Sequence, residues 1–457
     1  MKILMLSATF PYPPGRGGTQ VRTFNLLKYL SRRHDVILGT LRSSDVTDAQ
    51  IEELRQHAAE LAVFPHPQSP PQPPLTKGGL RTHQETDREF LSPPPPLPPS
   101  PPLPVLKKSE ILEKLHRSSQ FVLFGTPPNV LSNYSPAMQH WADELVAAGK
   151  CDVVTCEHSV NEIYVRPQWR EQVLTVANIH SSVWGTCRQI LATGTSEKPW
   201  RDRFYLPLLA GYEKRYCAKF SRIVATTETD KQQLLELLSP ANSLAAGRGG
   251  ATASASAVPE IDVIPNGVDL TEFPYRAKDP GGYTLIFAGA MNNLSNIDAV
   301  RFLSLEILPL LQQRFPETTL TVVGTSPVPE VLALGKRPGI QVVGKVQRVA
   351  EYLHQAAVCA VPMRIGFGIK NKTLEAMAAG VPVVASDRAL EGLSVDGRGQ
   401  TLRALRANRV QEYLEAVASL FDNQLLREEL SRNGRKLVES EYTWEIVGRQ
   451  YEQVLQF

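Results

Sequence analysis

The stretch "RIGFGIKNKTLEAMAAG", residues 364–380, concentrates groups suited to binding an anion. Arg364, Lys370 and Lys372 supply three cations, Gly366 and Gly368 stand between them, and Glu375 follows. From about Asn371 the residues are good helix formers, and Gly380 is the type preferred just past a helix end. The first turn of such a helix presents free N–H groups and the positive end of the dipole, a ready anion site. Glycines let the backbone approach a bound group closely. A diphosphate matches this arrangement. Glu375 lies on the same helix face as Lys372, where a carboxylate can accept hydrogen bonds from paired hydroxyls such as those of a ribose. The competing reading is a solvated basic loop with a Lys372–Glu375 surface pair.

Other candidates lie at the ends of apolar runs. "PYPPGRGGTQVR", 11–22, places Gly15, Gly17 and Gly18 before a helix expected to begin near Thr19, an acceptable N-cap. The pattern is not GxGxxG, and no acid follows the next strand, "DVILGTL". Both points weigh against a dinucleotide fold of the hydride-transferring kind. In "VLTVANIHSSVWG", His180 stands at the carboxyl end of a strand, followed by Ser181 and Ser182. "CDVVTCEH" puts Glu157 and His158 at another strand end, and "SRIVATTETDKQQLL" does the same for Thr226 and Thr227. "IPNG", 264–267, reads as a tight turn after a strand.

The elements that position these residues follow one grammar. "KILMLSA", "TQVRTFNLLKYLSRRH" and "DVILGTL" read as strand, helix, strand, and the same series returns from "YTLIFAGA" onwards. Such units imply parallel sheets, and two series imply two doubly wound α/β domains. We expect a first domain over 1–275, a second over 276–440, and a C-terminal helix over 441–457 that packs back on the first. Residues 65–104 hold fifteen of the 36 prolines, and 65–106 reads as an extended insertion rather than helix or sheet. Residues 239–259, small and polar, read as a flexible loop.

The 457-residue chain is long enough for two or three domains, at roughly 150 residues each. A net charge of +3 is too small for a dedicated nucleic-acid binder. Five scattered cysteines without a CxxC pair suggest neither a disulfide framework nor a zinc site, and fit a reducing, cytoplasmic setting. The sequence contains no run of about 18 apolar residues. The opening "MKILMLSATFPYPP" reads as a buried strand rather than a signal peptide. "LLKYLSRR" and "VLKKSEILEKLHR" mix apolar and basic residues at helical spacing. They read either as contacts to an anionic membrane surface, making the protein peripheral at the inner membrane face, or as ordinary amphipathic helices.

Taken together, four phrases in order resemble glycosyltransferase family 4, the retaining enzymes of GT-B fold: "GGTQVRTFNLLKYLSRRHDV", "VIPNGVD", "FAGAMNNLSNIDAVRFLSLEILPLL" and "PMRIGFGIKNKTLEAMAAGVPVVAS". The resemblance covers nearly the whole chain outside the two insertions. It implies two Rossmann-like domains facing a cleft, the first on the acceptor side and the second holding a nucleotide-sugar donor. It implies that Lys370, Lys372 and the helix N-terminus hold the diphosphate, with Arg364, Gly366 and Gly368 assisting, and that Glu375 binds the ribose. Gly17 and Gly18 would approach donor or acceptor, His180 would sit near the transferred sugar, and the "GKVQ" loop, 344–347, would line the base. The implied activity is hexosyl-type transfer to a saccharide or lipid-linked acceptor in glycan, polysaccharide or glycolipid synthesis, with neither metal nor cofactor. Two positions depart from the common pattern: Phe367 stands where many members have a Glu that touches the donor sugar, and Ala290 where many have a phosphate-contacting Arg. These departures keep open a non-catalytic nucleotide-sugar-binding partner subunit and a sugar-nucleotide epimerase.

Overall fold

Short apolar runs pair as parallel strands in the computed structural model, which describes residues 1–14, 17–67, 121, 125–180, 182–196, 198–239, 258–366 and 368–456. The first sheet is built from Lys2–Ser7 (β1), Asp35–Arg42 (β2), Glu60–Pro65 (β3), Val153–Glu157 (β4), Leu174–Asn178 (β5), Arg222–Ala225 (β6) and Glu260–Val263 (β7). Its order is β3-β2-β1-β4-β5-β6-β7. The second is built from Thr284–Ala288 (β8), Thr319–Val323 (β9), Ile340–Gly344 (β10), Val358–Val361 (β11), Val383–Ala385 (β12) and Leu405–Arg406 (β13), in the order β10-β9-β8-β11-β12-β13. Every residue of β11 and β12 is buried, as expected for strands covered on both faces. Each order reverses once, between β1 and β4 and between β8 and β11. At such switch points a crevice opens beyond the carboxyl ends of the strands.

The helices that bear on the site are Gly18–Leu30 (α1), Val183–Ala192 (α2), Pro199–Cys217 (α3), Glu228–Leu238 (α4), Leu294–Phe302 (α5), Asn371–Ala378 (α6), Gln424–Glu441 (α7) and Trp444–Val454 (α8). Helix α1 starts ahead of the expected Thr19. Gly17 is its N-cap and makes no side-chain capping bond, so Thr19 falls inside the first turn.

The chain crosses between domains twice. It leaves the first after β7 through residues 264–283, and it returns at Tyr442–Thr443, where the Val268 amide donates to the Tyr442 carbonyl at 2.8 Å. Thr443 caps α8, accepting from the Ile446 amide. Val447, Tyr451, Val454 and Leu455 then join Ile3, Met5, Leu26 and Leu27 in one hydrophobic cluster. Gly448 makes this approach possible, because a Cβ there would run into the Tyr29 ring.

Arg32 pairs with Glu445 at 2.7 Å and Arg33 with Glu452 at 3.1 Å, so both arginines of "LLKYLSRR" face α8. That packing fits an ordinary amphipathic helix. The segment "VLKKSEILEKLHR", the Pro-rich stretch beyond Pro67, residues 240–257, Gly15 and Phe367 lie outside the described residues. Among the described residues no helix is long and apolar enough to cross a membrane.

Candidate functional site

Helix α6 follows β11 at the switch point of the second sheet. Its N-cap, Lys370, makes no side-chain capping bond, so the first-turn amides keep no side-chain partner. Its far end closes as the sequence suggests. Gly380 has φ +78°, its amide bonds the Met377 carbonyl at 3.1 Å, and the Val381 amide bonds Ala376 at 2.9 Å. This is a Schellman motif, and it fixes where the helix stops.

Lys370 is buried, and its Nζ donates to the Gly368 carbonyl. Burial pulls its pKa down to about 7, against the attraction of Glu391. Lys372 donates to Asn296 Oδ1 at 2.8 Å and lies over the Phe287 ring at 5.4 Å. Burial lowers it to about 8, with Glu375 opposing the shift. Glu375 is raised to about 7 by burial, and Lys372 holds it back. Its carboxylate makes no hydrogen bond to a described residue. Asn296 serves as more than a partner for Lys372, since its Nδ2 donates to the Ala290 carbonyl at 2.9 Å. Gly289 makes room for both side chains, because a Cβ there would stand 2.8 Å from Asn296 Nδ2 and 3.2 Å from Lys372 Cε.

Arg364 behaves differently from the two lysines. Its guanidinium is engaged by Asp298 and lies over the Phe302 ring at 4.9 Å, so its charge is already neutralised. Gly366 (φ +119°) and Gly368 (φ +67°) adopt left-handed backbone that disfavours other residues. The Gly366 amide reaches across the domain boundary to Gln189 Oε1 at 3.2 Å. A Cβ on Gly368 would stand 2.5 Å from Thr226 Oγ1 and 3.3 Å from the His180 carbonyl. The loop before α6 therefore meets the first domain where His180 stands.

His180 follows β5, and its ring lies 5.3 Å from that of His158, centroid to centroid. Burial, His158 and Arg22 together push His180 well below the ordinary range, and burial lowers His158 to about 4. Both imidazoles are neutral near pH 7. His180 Nε2 is buried without a hydrogen-bond partner among the described residues. Ser182 holds the next turn: it caps α2 through the Gly185 amide and donates to the buried Glu213 at 2.8 Å. Gly17 and Gly18 have nothing within 4 Å of an added Cβ, so neither is imposed by packing, and both border open space.

Beneath His180 is a network that the sequence does not reveal. Arg22, fully buried in α1, donates to Asn178 Oδ1 at 3.0 Å, the Pro265 carbonyl at 2.6 Å and Asn266 Oδ1 at 2.9 Å. Asn178 donates to Glu157 at 2.9 Å, and Tyr451 of α8 donates to the same carboxylate at 3.2 Å. Asn266 donates in turn to Asn371, the first residue of α6, at 2.8 Å. In sequence Arg22 is one more cation on an amphipathic helix, with nothing local to mark its burial. Of its members, only Glu157 at its strand end and the "PNG" turn carry a signal.

Among the described residues no group of three or more His, Cys, Asp or Glu side chains is placed to hold a metal.

Residues 282–423 match the family model described as Glycosyl transferases group 1. The match falls within the second domain. Glycogen synthase of Mycobacterium tuberculosis is 29% identical over 206 residues, covering 43% of this chain and 48% of that protein. Phosphatidyl-myo-inositol mannosyltransferase of the same species is 30% identical over 198 residues, covering 41% and 51%. The chain thus matches about half the length of these curated relatives. Sucrose-phosphate synthase from Thermosynechococcus elongatus superposes with a TM-score of 0.63 at 16% identity, over 99% of this chain and 98% of that one. At that identity the likeness speaks for the fold alone, and the fold is GT-B. The glycosyl transferase model spans β8, β11 and α6, and with them Asn296, Lys370, Lys372 and Glu375.

Proposed function

We propose that this protein transfers a sugar from a nucleotide-diphosphate donor to an acceptor hydroxyl, with retention of the anomeric configuration. The observation that carries this reading is the meeting at Gly368. On one side stand two lysines and a helix N-terminus, and on the other the strand end that bears His180. Relatives named as a glycogen synthase and a mannosyltransferase support the reaction class.

Lys370 and Lys372 take the donor diphosphate at the open amides of α6. As the glycosidic bond breaks, negative charge grows on the leaving diphosphate, and preorganised cations and N–H dipoles stabilise it there. Those groups supply the role that a divalent metal plays elsewhere, so the reaction runs without one. Glu375 accepts hydrogen bonds from the ribose, and the 344–347 loop lines the base. Gly17 and Gly18 leave room over the sugar. The neutral His180 stands beside the transferred group, where its unpartnered Nε2 can hydrogen-bond a hydroxyl. The acceptor is a saccharide or a lipid-linked molecule, met in the cytoplasm. Closure of two domains over the donor excludes water and so limits hydrolysis.

Turnover of UDP-, GDP- and ADP-sugars by wild type, Lys372→Ala and Glu375→Ala tests this. A charged hydrogen bond contributes roughly 1.5–3 kcal/mol, so each variant should lose about tenfold or more in kcat/KM. Full activity in both variants would remove the assignment.

A further inference from the structure

One carboxylate near the site is left unexplained by this scheme. Glu391 lies in the loop after β12, and its side chain is 7% exposed. Its Oε2 accepts from Arg388 at 2.8 Å. Its Oε1 is buried with no hydrogen-bond partner among the described residues. Leaving such an oxygen unpaired costs roughly 1–3 kcal/mol or more, so a donor supplied by a bound ligand is the natural explanation.

Position says where that donor comes from. Glu391 lines a cavity of about 460 Å³ together with Thr229, Met363, Ser386 and Asn408. This is within the roughly 300–1,000 Å³ of small-molecule pockets. Thr229 belongs to α4 of the first domain, and the other walls belong to the second. The same loop touches the first domain again at Gly392, where a Cβ would stand 3.0 Å from Thr227 Cγ2. The cavity therefore opens at the domain boundary. Glu391 also leads the charges that favour protonated Lys370, so cavity and diphosphate cradle are neighbours.

Charge says what kind of group fits. Three arginines stand in the wall, and each is already neutralised: Arg364 by Asp298, Arg388 by Glu391, and Arg406 by Asp387 and Asp396. Among the described residues of the wall, no cation is left over for a second phosphate. Ser386 is likewise engaged by Met363 and Ala389, and Asn408 by Asp387, so the unpaired Glu391 oxygen is the acceptor left for a hydroxyl of a neutral ligand.

We propose that Glu391 accepts hydrogen bonds from hydroxyls of the donor's sugar and thereby helps select which sugar is bound. This rests on reading Lys370, Lys372 and α6 as the diphosphate cradle. Calorimetry on the full chain with UDP, GDP and ADP, then with UDP-glucose, GDP-mannose and ADP-glucose, tests both readings separately. In Glu391→Gln the nucleotide diphosphate should bind within about twofold of wild type, while the matching nucleotide sugar weakens by about tenfold. Arg388→Ala keeps the Glu391 carboxylate but removes its ion-pair partner, so it should weaken the nucleotide sugar less than Glu391→Gln does. Equal weakening of diphosphate and nucleotide sugar in Glu391→Gln would mean that the residue only sustains the charge of Lys370. The same losses in Arg388→Ala would mean that it only anchors the loop. Either result, or no change at all, overturns the proposal while leaving the cradle standing. If none of the six ligands binds wild type, the cradle itself fails and this inference falls with it.

Discussion

Three ionisable groups at the mouth of α6 are all displaced towards neutrality in the ligand-free protein. Lys370 and Lys372 are lowered to about 7 and 8, and Glu375 is raised to about 7, in each case chiefly by burial. A diphosphate binds best when both lysines are protonated, and that condition fails as pH rises through their values. A ribose binds best when Glu375 is ionised, and that condition fails as pH falls below its value. The two limits overlap only around neutrality. Nucleoside diphosphate affinity should therefore peak near pH 7 and fall on either side. On the alkaline limb binding should be accompanied by proton uptake, because the anion draws the lysines back to their charged form. Titration calorimetry in buffers of different ionisation enthalpy reads both effects. An affinity that does not vary with pH would show that these groups do not contact the nucleotide.

At the scale of elements, α6 is legible in the residues alone. Its formers, the cations at its start and the glycine at its end are all local signals, and the helix runs from Asn371 to Ala378 as that pattern implies. Its support is not legible. Asn296, which holds Lys372, lies 76 residues away in α5, and no spacing rule connects the two. The charge pairing of Arg364 with Asp298 is similarly non-local, so the sequence groups Arg364 with the lysines although its charge is already taken. Thr19 fails as a cap because Gly17 occupies that place in extended backbone. The contact of α1 with α8 invites a direct test. Gly448→Ala pushes a methyl group into the Tyr29 ring, and overpacking of this kind typically costs about 1–3 kcal/mol. A lower denaturant midpoint is the expected result. Unchanged stability would mean that the two helices separate readily.

Across the whole molecule, polar contacts link the two switch points. The Arg22 network touches α1, β4, β5, α8, the 265–266 turn and, through Asn266, the start of α6. Arg22→Met would remove the nearby charge that favours ionised Glu157 and the donors to Asn178, Pro265 and Asn266, and each buried group left unsatisfied costs about 1–3 kcal/mol. A marked drop in thermal midpoint is expected. Restoration by Arg22→Met with Glu157→Gln would assign the loss to the stranded carboxylate, and failure to restore it would place the loss elsewhere in the network. The doubly wound class of both domains can be read from the alternation of strand and helix, because that alternation is local. The polar network cannot, because its members are brought together only when the sheets form. The return of the chain at Thr443 has a consequence for biosynthesis. Val447 and Tyr451 complete a core that also contains Ile3 and Met5, so a growing chain has most of that core long before its last residues. While the ribosome makes the whole second domain, the face of α1 that meets α8 waits uncovered. The domain translated first is therefore the one finished last, and its early exposed face is where a nascent-chain chaperone would have most to protect.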